Sequence, residues 1–246
     1  MILVFIVLSL VAVAFFAHYN FWRPVKKCSW PRILMYHNTS NEVSSGMNIT
    51  PELLEKQIQY LIKKQYTFLK ISDLPNFTQL TRCVVLTFDD GFVGNYIYLF
   101  GILKKYKVPA TIYLTPDIRC IEALSSSQIK EMQASGFVEF GAHTMTHVNL
   151  TKVDNEIAQK EIAQSKEAVE KLTGILCESF AYPYGRYNEQ HVQMVKDAGF
   201  TTAVTTKKAI ATFDHLNPYT LPRLSISGCI NMIQFYLILS RGRYKL

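Results

Sequence analysis

The sequence predicts an α/β fold built on a parallel sheet or barrel, and three observations predict it. Short apolar strands alternate with helical segments along nearly the whole chain, the pattern of repeated βα units. The run Cys83-Val-Val-Leu-Thr-Phe88 is apolar almost without a break, which suits a strand covered on both faces. A length of 246 residues, 49% of them apolar, suits a single barrel-sized unit with a large core.

The elements follow in order. Met1 to Ala17 is apolar except for Ser9. This run is near the lower limit of about 17 residues for a spanning helix. It reads either as the core of a signal peptide, with a weak Ala12-x-Ala14 cleavage site, or as a retained anchor. Phe15, Phe16, Tyr19, Phe21 and Trp22 carry the aromatic character onward and favour an anchor over residues 1–22, with residues 23–31 as a linker. No Lys or Arg precedes this segment, whereas Arg23, Lys26 and Lys27 follow it. Flanking charge alone therefore puts the rest of the chain in the cytoplasm. The chemistry of the site argues for the outer face, and the expectation is a cell-envelope protein with an extracytoplasmic catalytic domain.

That domain is expected over residues 32–246. It opens with a strand, Arg32-Ile-Leu-Met-Tyr-His37. Thr50 caps a helix with Pro51 at its first position, and Leu54, Ile58 and Leu61 keep helical spacing. After the Cys83 strand come a helix at residues 96–106 and a strand at 110–114. A helix at 127–134 stops at Gly136, and a strand covers 137–142. A long polar-faced helix at 154–172 is closed by Gly174, and a strand covers 179–182. A helix at 188–198 stops at Gly199, a strand covers 200–204, and the apolar stretch after Asn231 is a final helix with a basic end.

Net charge is +7, with the basic residues scattered and no nucleic-acid-binding motif, so no nucleic-acid partner is expected. Five cysteines with no C-x-x-C pair argue against a cysteine zinc site, and Cys83 is expected to be a buried thiol.

Functional groups in such folds gather where strands end. Four strand ends carry polar residues beyond structural need. Thr87-Phe-Asp-Asp-Gly91 sets two carboxylates side by side, where one can hold a cation while the other stays ionised as a base; an Asp-Gly surface turn is the plainer alternative. His143-Thr-Met-Thr-His147 has the i, i+4 spacing that aims two imidazoles at one metal from a helical turn. With Asp90, His143 and His147 as ligands, a fourth position stays open for water, which the metal acidifies into a nucleophile. Ala181-Tyr-Pro-Tyr-Gly185 fixes a backbone path whose N–H can hold an oxyanion. Tyr36-His37 supplies a candidate general acid, although a structural histidine looks the same in sequence.

Together these motifs resemble those of the polysaccharide deacetylases, the NodB-homology carbohydrate esterases. Thr87 to Gly91 is similar to that family's first motif, His143 to His147 to its second, and Pro183-Tyr-Gly185 to the core of its third. The resemblance runs from about Arg32 to Ile226. It implies a distorted, TIM-like (β/α)7 barrel. It also implies Asp89 as general base, Asp90, His143 and His147 around a divalent metal, usually zinc, and the Tyr184 backbone at the oxyanion.

Two departures stand out. Ala181 replaces the arginine that commonly opens the third motif, and the later Leu-x-His that supplies the acid is missing after Arg223. Ile33-Leu-Met-Tyr-His37 and Leu221-Pro-Arg223 are similar to the subgroup acting on poly-β-1,6-N-acetylglucosamine, in which an early histidine provides the acid. His37 is assigned that role here. The expected substrate is an N-acetylated polysaccharide or oligosaccharide. An amidohydrolase of peptidoglycan or a small amide, and a membrane-tethered glycan-binding protein with an idle site, are the competing readings.

Overall fold

The computed structural model describes residues 2–18, 24–27, 31–42, 44–76, 82–210, 212 and 217–243. Helix α1 (Ile2–His18) comes first, followed by β1 (Arg32–Tyr36), β2 (Asn38–Thr39), β3 (Asn48–Ile49) and α2 (Pro51–Lys63). Next are β4 (Thr67–Leu69), β5 (Cys83–Phe88), α3 (Phe100–Tyr106), β6 (Ala110–Leu114), α4 (Ser126–Ala134) and β7 (Val138–Ala142). The chain closes with α5 (Asn155–Thr173), β8 (Ser179–Ala181), α6 (Glu189–Asp197), β9 (Thr202–Val204), β10 (Leu224–Ser225) and α7 (Met232–Arg241).

All strand pairs of the main sheet are parallel, in the order β10-β1-β5-β6-β7-β8-β9. This curled sheet is that of a distorted barrel. The main path has seven strands, and β4 adds an eighth. β4 pairs with the first half of β5, from Cys83 to Val85, and β6 takes over the same edge from Thr87. Past β9 the sheet turns toward β10 through a bridge between Val204 and Leu221, where Thr205 N donates to Leu221 O at 2.8 Å. β4 and β10 went unforeseen because strands of three and two residues carry too little periodicity to read.

Local chemistry explains the helix limits. Thr50 Oγ1 accepts from Leu53 N, and Ser125, Asn188 and Asn231 each close a capping box. α5 stops at Gly174, whose φ of 77° is left-handed. The helix expected from residue 96 begins instead as a π-helical turn, Asn95–Leu99, which runs into α3. Buried Asn95 donates through Nδ2 to His37 O at 3.0 Å, so this irregular turn is tied to the end of β1.

β1 and β5 are buried along their whole length. Leu34, Leu86, Ile112, Phe140 and Phe180 line one continuous core with the inner faces of α2, α3, α5, α6 and α7. Cys83 is buried as expected, which pushes its thiol up to about 11.

α1 is 17 residues long, about 25 Å, and falls short of a hydrocarbon core of about 30 Å. Among the described residues no helix is long and apolar enough to cross a membrane. The interfacial aromatics Tyr19, Phe21 and Trp22 lie outside the described residues.

Candidate metal centre

Strand β5 delivers Asp89 and Asp90 to the C-terminal edge of the sheet. Asp89 N donates to Tyr36 O at 3.0 Å, tying the pair to β1. Asp90 then takes a left-handed φ of 73° and Gly91 one of 79°. That φ favours glycine at 91, where a Cβ would also press on Leu114 Cδ2 at 2.8 Å. The reversal sends the two carboxylates to different partners.

Asp89 meets Arg223. The guanidinium donates Nη1 to Oδ1 at 2.6 Å and Nη2 to Oδ2 at 2.7 Å, with Nη1 also reaching Thr87 Oγ1 at 3.1 Å and Nε reaching Thr205 O at 3.0 Å. Burial alone would push the Asp89 carboxyl up. The charge of Arg223, with the hydrogen bonds it donates, outweighs it and holds the group well below the usual carboxylate range.

Asp90 meets the histidines. Its Oδ1 lies 3.6 Å from His143 Nε2 and 3.4 Å from His147 Nε2, too far for hydrogen bonds. That oxygen is buried and has no hydrogen-bond partner among the described residues. Two ligands about 2.0–2.2 Å from a tetrahedral ion stand roughly 3.4 Å apart, the spacing seen here. One ligand atom from each of Asp90, His143 and His147 falls within 4.8 Å of the others. Burial, reinforced by the Asp89 charge, pushes the Asp90 carboxyl up to about 6, and burial pulls His143 down to about 4 and His147 below its ordinary value. A buried, unsatisfied acceptor facing two neutral imidazoles fits a divalent cation.

The ring tautomers support the same fit. His143 Nδ1 lies 2.7 Å from Ala181 O, a carbonyl that can only accept, so Nδ1 carries the proton and Nε2 presents its lone pair. His147 Nδ1 sits 3.1 Å from Tyr184 Oη, and the two rings meet edge to face at 4.6 Å.

The histidines do not sit on a helical turn as their spacing suggested. Residues 143–149 are irregular, and Thr144 and His147 both have a φ of 61°. Left-handed kinks at 144 and 147, rather than helical periodicity, bring the rings 4.9 Å apart. Glu161 of α5 holds this loop: Oε2 accepts from Met145 N at 2.8 Å and Thr146 N at 3.0 Å, and Oε1 from Thr146 Oγ1 at 2.8 Å.

The other two assigned residues flank this centre. Tyr184 has a φ of 58°, followed by Gly185 at 64°, where a Cβ would collide with the Thr206 side chain. Besides its backbone, Tyr184 brings its side chain to His147, a contact the sequence gave no reason to expect. His37 follows β1 at the same edge, half-buried and near enough to act electrostatically on both Asp89 and Asp90. A cleft of about 440 Å³ opens beside the centre, lined by His147, Tyr184, Thr146 and residues 117–120.

Sequence reasoning missed two residues here. Glu161 lies on the polar face of a helix and looks like any solvated acid. Arg223 was noticed only as part of Leu221-Pro-Arg223, although a lone basic residue beside a strand was a usable signal. His191, by contrast, is buried at the start of α6, where its Nδ1 accepts from Asn188 N at 3.1 Å in the helix cap.

Residues 78–203 match the family described as polysaccharide deacetylase. YxkH of Bacillus subtilis, named for the same family, is 30% identical over 212 residues, covering 84% of this chain and 75% of its own. The poly-β-1,6-N-acetyl-D-glucosamine N-deacetylase of Staphylococcus aureus is 25% identical over 221 residues, covering 82% and 76%. The crystal structure of BC0361, a polysaccharide deacetylase from Bacillus cereus, superposes with a TM-score of 0.76 at 28% identity, covering 85% of this chain and 69% of that one.

Proposed function

Because the chain belongs to the polysaccharide deacetylase family, hydrolases that remove acetyl groups, we propose that it hydrolyses the acetamido group of N-acetylglucosamine-type residues in a cell-surface polysaccharide. The observation that carries this reading is the convergence of Asp90, His143 and His147 beside the ionised Asp89. The S. aureus relative's named substrate favours a β-1,6-linked polymer.

The two-nitrogen, one-oxygen donor set suits zinc, held by Asp90, His143 and His147. Such an ion acidifies water and polarises the acetyl carbonyl. Asp89 is the base that takes the proton from the attacking water. Arg223 keeps it ionised, and each of its oxygens keeps a lone pair beyond the one used by the guanidinium. The Tyr184 N–H donates to the oxyanion. His37 protonates the amine nitrogen as the C–N bond breaks, leaving acetate and a free amine on the polymer.

α1 is apolar almost throughout and its described side chains are exposed, which supports a cell-envelope location; a surface polysaccharide as substrate places the catalytic domain outside the cytoplasm in this reading.

The test is zinc-dependent acetate release from N-acetylglucosamine oligomers by the full chain. Release lost in Asp90→Ala supports the reading. A folded, zinc-loaded protein that releases no acetate overturns it in favour of another amide substrate.

A further inference from the structure

Both ligand histidines take their outer partner from one short segment. β8 ends at Ala181, and the turn Pro183–Gly185 follows it closely. Ala181 O meets Nδ1 of His143 at 2.7 Å, and Tyr184 Oη meets Nδ1 of His147 at 3.1 Å. The opposite nitrogens, Nε2 of each ring, face Asp90 Oδ1 at 3.6 and 3.4 Å. A neutral imidazole that offers its Nε2 lone pair to a cation keeps its proton on Nδ1. The His147 N–H therefore donates to Tyr184 Oη, as the His143 N–H donates to Ala181 O.

The two rings differ in how firmly the rest of the protein holds them. The His143 side chain is 3% exposed and locked by packing, whereas that of His147 is 22% exposed and stands on an irregular loop. Among the described residues, the Tyr184 hydroxyl is the one group hydrogen-bonded to the His147 ring. The turn that carries Tyr184 does not need this side chain. Gly185 N donates to Tyr182 O at 2.9 Å, Arg186 N to Pro183 O at 3.0 Å, and Thr206 Oγ1 to Tyr184 O at 3.3 Å. These bonds hold the left-handed φ of 58° at Tyr184 through the main chain. The phenol ring is 57% exposed, so core packing does not place it either. Its contact is with His147, edge to face at 4.6 Å.

We propose that the Tyr184 hydroxyl is the positioning group for His147, fixing the ring's tautomer and tilt so that Nε2 points at the metal. This role rests on Asp90, His143 and His147 holding the ion, as proposed above, and is separate from that of the Tyr184 backbone N–H. A ligand imidazole whose second nitrogen is hydrogen-bonded is both better oriented and more basic. One residue thus serves the metal through its side chain and the oxyanion through its main chain.

The test compares the full chain with Tyr184→Phe, which keeps the ring and the main chain and removes the hydroxyl alone. Zinc affinity is measured by competition with a chelating dye. The Nδ1 protons of the zinc-loaded proteins are observed by NMR on isotope-labelled histidine. The expected result is zinc binding weakened by about 10-fold. The His147 Nδ1 proton signal should be lost to exchange with solvent while that of His143 persists. Equal zinc affinity in the two proteins overturns the proposal and leaves the Tyr184 ring as a wall of the cleft. So does a His147 signal that is the same in both, or the loss of both histidine signals together, which would mark a general loosening of the centre. Neither readout uses a substrate. A protein with the expected zinc behaviour that releases no acetate would fail the deacetylase reading and leave this role of Tyr184 standing.

Discussion

Arg223 and Asp89 face each other through two parallel hydrogen bonds of 2.6 and 2.7 Å, with the arginine fully buried and the carboxylate nearly so. The guanidinium also lies 5.7 Å from the centre of the Tyr113 ring. The site therefore holds one carboxylate committed to a protein cation and a second, Asp90, left for a metal.

Removing one partner strands the other in the core. Arg223→Ala should lower stability by about 3–5 kcal/mol, read from urea unfolding. Arg223→Lys should recover only part, since an ammonium cannot match both carboxylate oxygens. An Arg223→Ala protein as stable as the parent would show that the pair is not the clamp described here.

The same pair sets a pH dependence. The Asp89 carboxyl is held below its unfolded value of about 3.9, so its contribution is fully present above that pH and is lost as pH falls toward the lower folded value. The stability gap between the parent and Asp89→Asn should be constant above about pH 5 and narrow on further acidification. A gap that widens in acid would reverse the sign of the argument.

Glu161 touches no ligand atom but accepts three hydrogen bonds from the loop carrying both histidines. Glu161→Ala should weaken zinc binding about 10- to 100-fold, measured by competition with a chelating dye. The unfolding midpoint of the metal-free protein should move little. Equal zinc affinity in parent and variant would reduce Glu161 to a surface cap.

His37 is tested by separating chemistry from metal binding. His37→Ala should lower kcat about 10²- to 10⁴-fold while zinc content stays at the parent level. A variant that loses zinc instead would make His37 part of the metal's surroundings rather than the acid.

How far the sequence reached can be argued residue by residue. The βα order and most helix limits were legible because Thr50, Asn188 and Gly174 are local signals that act where they stand. The ligand triad was legible as residue types, yet its geometry was not. The i, i+4 spacing of His143 and His147 implied a helix, and the kinks that replace it depend on anchors from elsewhere, Glu161 and Ala181 O. Arg223 was legible as a residue of the Leu221-Pro-Arg223 run, but its pairing was not, since Asp89 is 134 positions away and no local pattern encodes a contact at that range.

β10 pairs with β1, residue 224 beside residue 34, so the first strand of the barrel gains its outer neighbour from the last of the described strands. A chain emerging from the ribosome carries β1 with a bare edge until residue 224 has been made. Contacts this distant in sequence make for slow folding and long exposure of unpaired strand. Fragments ending before Pro222 lack both that neighbour and the cation for Asp89, and are expected to aggregate rather than wait in a nearly finished state. The order of synthesis thus withholds the surroundings of Asp89 until Arg223 has emerged, long after Asp89 itself.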